Sequence, residues 1–175
     1  SDSCIACPRG RHQDQLGQAS CKGERCIEGK YFEQKGQVSS VTCAVCPSGK
    51  FSNTRAASEC KACAAGQYQD SAGKAECTAC IAGQYQDRAG ETECLDCIAG
   101  QHQNQLGQAT CKGERCSEGK YFEQTGQSSA VTCKECPSGT FSDTRAASEC
   151  KACAAGEYQD GAGKTECAEC IAAVS

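Results

Sequence analysis

The residues of this chain with chemistry to offer are its cysteines, twenty in 175 positions, set as ten closely spaced pairs. Thiols at such spacing serve three chemistries: metal ligation, thiol redox exchange and structural disulfides. The run Cys60-x2-Cys63-x13-Cys77-x2-Cys80 approaches a four-thiolate zinc pattern, in which about 15 to 20 residues separate two C-x2-C pairs. Zinc modules, however, come as separate four-ligand sets with different sequence between them, whereas these pairs follow one another at near-constant intervals. Redox catalysis needs one thiolate stabilised at a helix N-terminus within a thioredoxin-like fold, and no βαβ unit is legible here. The series therefore reads as disulfides, which places the chain in an oxidising compartment, extracellular or at the cell surface.

The remaining candidate groups are weaker. His12 and His102 stand where related segments carry Tyr or Phe, at no metal-ligand spacing and with no recurring Ser or Asp to complete a triad. Asp70, Asp87 and Asp160, each three residues before a glycine, supply one carboxylate per turn, whereas a calcium site needs several oxygen ligands; they read as turn residues. No catalytic residue, metal site or cofactor is expected, and the chain reads as no enzyme. Phe32 and Phe122 follow Tyr31 and Tyr121 and are the candidates for contact with a partner. Adjacent residues of an extended segment face opposite ways, so one ring can cover a disulfide while the other points outward.

These groups must be positioned without an ordinary core. Leu, Ile, Val and Phe number only seventeen, too few to drive folding by burial alone. Cross-links supply the order instead: closing a loop of about 15 residues stabilises by roughly 3 kcal/mol. No apolar run approaches bilayer-spanning length, and the net charge of −4 is spread without basic blocks, so neither direct membrane insertion nor nucleic-acid binding is expected. No leader is legible at the first ten residues; its absence fits removal or a place outside this segment. Asn53 and Asn104 begin no N-glycosylation sequon, while O-linked glycan is open at Ser39, Ser40, Thr42, Ser128, Ser129 and Thr132.

Self-similarity appears at two periods. Units of 17 residues read Cys-x2-Cys, then x2-Gly-x-aromatic, then a polar turn, as in CKACAAGQYQDSAGKAE at Cys60 and CTACIAGQYQDRAGETE at Cys77. A 22-residue unit at Cys21 returns at Cys111, which makes a super-repeat of 90 residues, and 12–81 differs from 102–171 at 15 of 70 positions. The organisation is a cysteine-rich module at 4–20, a long module at 21–42, and four 17-residue modules over 43–110. A second long module at 111–132, two 17-residue modules over 133–166 and the start of another at 167–175 follow. The aromatic of each module reads as a ring lying on a disulfide, and a second glycine, as in Gln69-Asp70-Ser71-Ala72-Gly73, reads as a turn of positive φ. The expected fold is small, disulfide-rich and mostly irregular with short β-hairpins, an elongated tandem-repeat rod.

The run Cys46-Pro47-Ser48-Gly49-Lys50-Phe51, followed by Cys60-x2-Cys63, resembles the ephrin-receptor-like cysteine-rich repeat, and is similar to the first module type of tumour necrosis factor receptor cysteine-rich domains. The likeness spans nearly the whole chain. Pro follows Cys only at Pro8, Pro47 and Pro137, and the Cys21-x4-Cys26 and Cys111-x4-Cys116 spacings depart from the pattern. The resemblance implies that the second Cys of each pair bridges to the first Cys of the next. That joins Cys7 to Cys21, Cys46 to Cys60, Cys63 to Cys77, Cys80 to Cys94, Cys97 to Cys111, Cys136 to Cys150 and Cys153 to Cys167. In the long modules it joins Cys26 to Cys43 and Cys116 to Cys133. Cys4 and Cys170 are left to pair outside the segment. The near-identity of the blocks favours an extracellular structural protein, forming or decorating a filament, surface coat or matrix. Its partner would be a further copy or another extracellular repeat protein. The alternative is a receptor or adhesin ectodomain that binds a protein ligand.

Overall fold

Each opening cysteine is followed by a β-turn, and the turn dictates the hairpin. In the computed structural model, which describes residues 6–37 and 39–170, the Lys50 amide donates to the Pro47 carbonyl at 3.1 Å. Gly49 stands third in that turn with φ of 77°, a backbone that suits glycine and would strain most other residues. The same bond closes Pro8 to Arg11, Ala64 to Gln67, Ile81 to Gln84 and the corresponding turns of the other modules.

The turn delivers the Gly-x-aromatic segment as a two-residue strand, and its partner is the two-residue spacer inside the next Cys-x2-Cys. The first unit of the chain is Ser1–Cys80 with Gln86–Cys94. There β1 (Lys30–Tyr31) pairs with β2 (Ala44–Val45), β3 (Lys50–Phe51) with β4 (Lys61–Ala62), and β5 (Gln67–Tyr68) with β6 (Thr78–Ala79). The second unit is Ile81–Tyr85 with Leu95–Ser175. Its hairpins join β7 (Gln84–Tyr85) to β8 (Leu95–Asp96), β9 (Lys120–Tyr121) to β10 (Lys134–Glu135), β11 (Thr140–Phe141) to β12 (Lys151–Ala152), and β13 (Glu157–Tyr158) to β14 (Ala168–Glu169). All are antiparallel. Where the spacer lengthens to four residues, the ladder shrinks to one bridge, His12 to Lys22 and His102 to Lys112. Among the described residues there is no helix, and none is long and apolar enough to cross a membrane. The fold is small, disulfide-rich and mostly irregular, with strands too short to stand without their bridges.

Nine disulfides hold these hairpins. They join Cys7–Cys21, Cys26–Cys43, Cys46–Cys60, Cys63–Cys77, Cys80–Cys94, Cys97–Cys111, Cys116–Cys133, Cys136–Cys150 and Cys153–Cys167. Each closes a loop of 14 residues, or 17 in the long modules, and no two interlock along the chain. Cys4 lies outside the described residues, and Cys170 is exposed and unbridged.

The second turn of each module is left-handed at one residue, as at Gly73 with φ of 76°. Two modules lack a glycine there, and Ala56 and Ala146 take the conformation instead, at 57° and 58°. A left-handed L-residue costs roughly 1–2 kcal/mol. Glycine also loses more entropy on folding, so Ala56→Gly is expected to stabilise by about 0.5–1 kcal/mol, read as a rise in thermal midpoint.

Candidate functional site

The surface of these modules is set by what they bury. Apart from Ala99, the buried apolar side chains among the described residues are cysteines: Cys7, Cys26, Cys46, Cys63, Cys80, Cys97, Cys116 and Cys136, the openers of their loops. The other buried side chains are polar and directly follow the ring: Ser52, Gln69, Gln86, Gln103 and Ser142. Gln86 accepts from the Arg88 amide at 3.1 Å through Oε1 and donates to the Glu93 carbonyl at 2.8 Å through Nε2. Gln69 does the same with Ser71 and Glu76, and Gln103 with Gln105 and Thr110. The glutamine is thus a strut across the loop, reaching the residue that precedes the closing cysteine. Among the described residues no buried side-chain polar atom lacks a partner, which is why a polar interior is tolerated.

The aromatic rings are more exposed than most of the opening cysteines and about as exposed as the closing ones. Tyr31, Phe51, Tyr68, Tyr85, Tyr121 and Phe141 are half-buried, as are His12 and His102 in their place, and Tyr158 is exposed. The Phe141 ring carries the Lys151 ammonium 5.9 Å from its centroid, from the directly opposed strand position, a cation–π contact. Lys151 also donates to both oxygens of Asp143, at 2.7 and 2.9 Å. In the other block Asp14 accepts from Lys22 through one oxygen, at 2.6 Å. The hydrogen bond from Lys151 and its charge hold the Asp143 carboxyl below its usual 3.8. A depressed carboxyl stabilises the fold above its unfolded value and loses that contribution as pH falls through the lower folded one. Carbon-detected titration is therefore expected to place Asp143 below 3.8, and Lys151→Gln to return it upward.

Phe32 and Phe122 occupy the position that the short modules give to the buried Gln or Ser. Both are half-buried, and their amides donate to the Ala57 and Ala147 carbonyls of the next module, at 3.0 and 3.1 Å. Phe32 and Tyr31, with Glu33, Gln34, Thr42 and Ala44, line an open groove of about 260 Å³. The candidate serine and threonine acceptors Ser39, Ser40, Thr42, Ser128, Ser129 and Thr132 are all exposed. Asp70 accepts from the Ser71 hydroxyl at 2.8 Å, a turn contact. Among the described residues no three His, Cys, Asp or Glu side chains converge on a point where a metal ion would sit.

The modules are joined by a recurring backbone junction. The turn glycine donates forward to the carbonyl of the residue after the next ring, as Gly49 to Gln69 at 2.7 Å and Gly119 to Ser142 at 2.8 Å. The left-handed residue of the following loop donates back to the opening cysteine, as Gly73 to Cys46 at 2.7 Å and Ala146 to Cys116 at 2.8 Å. The matching family model describes tyrosine-protein kinase ephrin type A/B receptor-like sequence, and it aligns with residues 29–75, 49–92, 66–111 and 139–174 in overlapping register. Those segments cover more than half of the chain. The chain belongs to this ephrin-receptor-like family. No curated protein matches it. The three overlapping segments begin at Gly29, Gly49 and Gly66, one module apart, in step with the bridges and junctions above.

Proposed function

We propose that this ephrin-receptor-like chain is an extracellular, non-catalytic structural protein, a disulfide-stapled rod that forms or decorates a filament, surface coat or matrix. The observation that carries the reading is the junction just described, which recurs with the same donors and acceptors in both blocks of the 90-residue repeat. A surface repeated so regularly suits self-association or attachment to another extracellular repeat protein, because many weak contacts add through effective concentration. O-linked glycan on the exposed Ser39, Ser40 and Thr42, and on Ser128, Ser129 and Thr132, is compatible with that setting. The bridges suit an oxidising compartment.

The second reading, a receptor or adhesin ectodomain that binds a protein ligand, draws support from the receptor-derived family description and from the groove beside Tyr31 and Phe32. Small-angle scattering with sedimentation of the unreduced protein distinguishes them. An extended particle that associates with rising concentration supports the structural reading. A particle that stays monomeric throughout and captures one distinct extracellular protein through Phe32 and Phe122 moves the assignment to receptor or adhesin.

A further inference from the structure

Because no bridge crosses from one module to the next, a backbone cut inside a loop leaves both pieces tethered, whereas a cut between loops frees them. The releasing segments are the spacers inside each Cys-x2-Cys or Cys-x4-Cys. Among the described spacers, basic residues occur at Lys22, Arg25, Lys61, Lys112, Arg115, Lys134 and Lys151. Lys61, Lys134 and Lys151 lie in strands whose two residues are both paired, and the residue after each spacer is a bridged cysteine. Arg25 and Arg115 are exposed but abut the buried Cys26 and Cys116, which deny an enzyme the residue after the cut. Lys22 differs: Gly23, Glu24 and Arg25 beyond it are all exposed. Its own backbone is held by the two bonds of a single bridge, Lys22 to His12 at 2.7 Å and His12 to Lys22 at 3.1 Å. Lys112 repeats this exposure and pairing, with Gly113, Glu114 and Arg115 exposed and one bridge to His102; its ammonium donates to Asn104 at 2.8 Å where that of Lys22 donates to Asp14.

We infer that Lys22–Gly23 and Lys112–Gly113 are processing sites for a lysine-directed endoprotease, which would release the 90-residue unit 23–112. Water adds across the scissile amide: the C–N bond breaks, hydroxide goes to the Lys22 carbonyl carbon and the proton to the Gly23 nitrogen. Endoproteases bind their substrates as extended strands, so the site needing the least local opening is cut first. The released unit, 23–112, contains five complete bridges and no severed one. Its length equals the sequence period, so each cut falls at the same place in successive blocks.

The test is a timed digestion of the unreduced full chain with trypsin at low ratio, read by denaturing electrophoresis without reductant and by mass. The expected first products are 1–22, 23–112 and 113–175, and Lys22→Gln with Lys112→Gln is expected to abolish them. The double variant keeps all nine bridges, and an unchanged circular dichroism spectrum verifies that it folds. The inference is overturned if 23–112 persists in that variant. It is equally overturned if the first nicks of the parent fall at Arg55, Lys74 or Arg88, inside loops, so that nothing is released until reductant is added.

Discussion

Replacing Cys63 and Cys77 together by alanine is expected to cost about 3 kcal/mol, because the bridge closes a 14-residue loop whose freedom is restored to the unfolded chain. The loss should be local. Cys63 is fully buried and its carbonyl accepts from Gly90 at 2.8 Å, so the module before the Gly90 turn loosens with it. The loops closed by Cys26–Cys43 and Cys136–Cys150 keep their own bridges. Hydrogen exchange by mass spectrometry reads this directly: protection falls across 49–94, because Gly49 and Ser52 donate to Gln69 and Lys74 of the opened loop, and holds beyond it. A loss of protection along the whole chain would mean a cooperative unit much longer than one junction, contrary to the nearest-neighbour energetics of stacked repeats.

Gly49→Ala is the second large effect, and the molecule contains its own control. Gly49 and Gly139 hold the same place in the two blocks, in near-identical turns with φ of 77° and 80°. Alanine at either pays the left-handed cost of roughly 1–2 kcal/mol. At Gly49 the added methyl would also fall onto the carbonyl of Gly90, two modules ahead, whereas at Gly139 nothing among the described residues lies within 4 Å. Overpacking against backbone adds about 1–3 kcal/mol. Gly49→Ala should therefore lower the thermal midpoint clearly more than Gly139→Ala. Equal shifts in the two variants would show that the second-neighbour contact carries no energy.

That contact marks where sequence reasoning stops. The fold class was legible because cysteine spacing and the scarcity of Leu, Ile, Val and Phe leave only a stapled, hairpin-built chain. The family was legible from Cys46-Pro47-Ser48-Gly49-Lys50-Phe51 for the same reason. Positive φ at Gly73 and its equivalents could be read from turn composition, but not at Ala56, where the chain context overrides the residue's own preference. The buried glutamines were missed because a polar residue after an aromatic suggests a solvent-facing side chain by strand alternation. Two-residue strands enforce no such alternation, and loop closure from Gln86 to Glu93 pulls the side chain inward. The signal was present, since Gln follows the ring in five modules. The approach of Gly49 to Gly90 has no sequence signature beyond the recurrence of glycine, because it depends on how two junctions add in space. Phe32 and Phe122 were singled out as an extra aromatic, yet their place at the strut position emerges only from the hydrogen bonds to Ala57 and Ala147.

One covalent pattern orders the whole chain, and intact mass with non-reducing peptide mapping of the purified protein addresses it most directly. The prediction is a mass lower by the eighteen hydrogens that nine bridges remove, with peptides linking Cys63 to Cys77 and Cys80 to Cys94 and none linking the two cysteines of a Cys-x2-Cys pair. Free thiols across the series, thiols released only by a zinc chelator, or a bridge from Cys60 to Cys63 would contradict the stapled array and the extracellular role drawn from it.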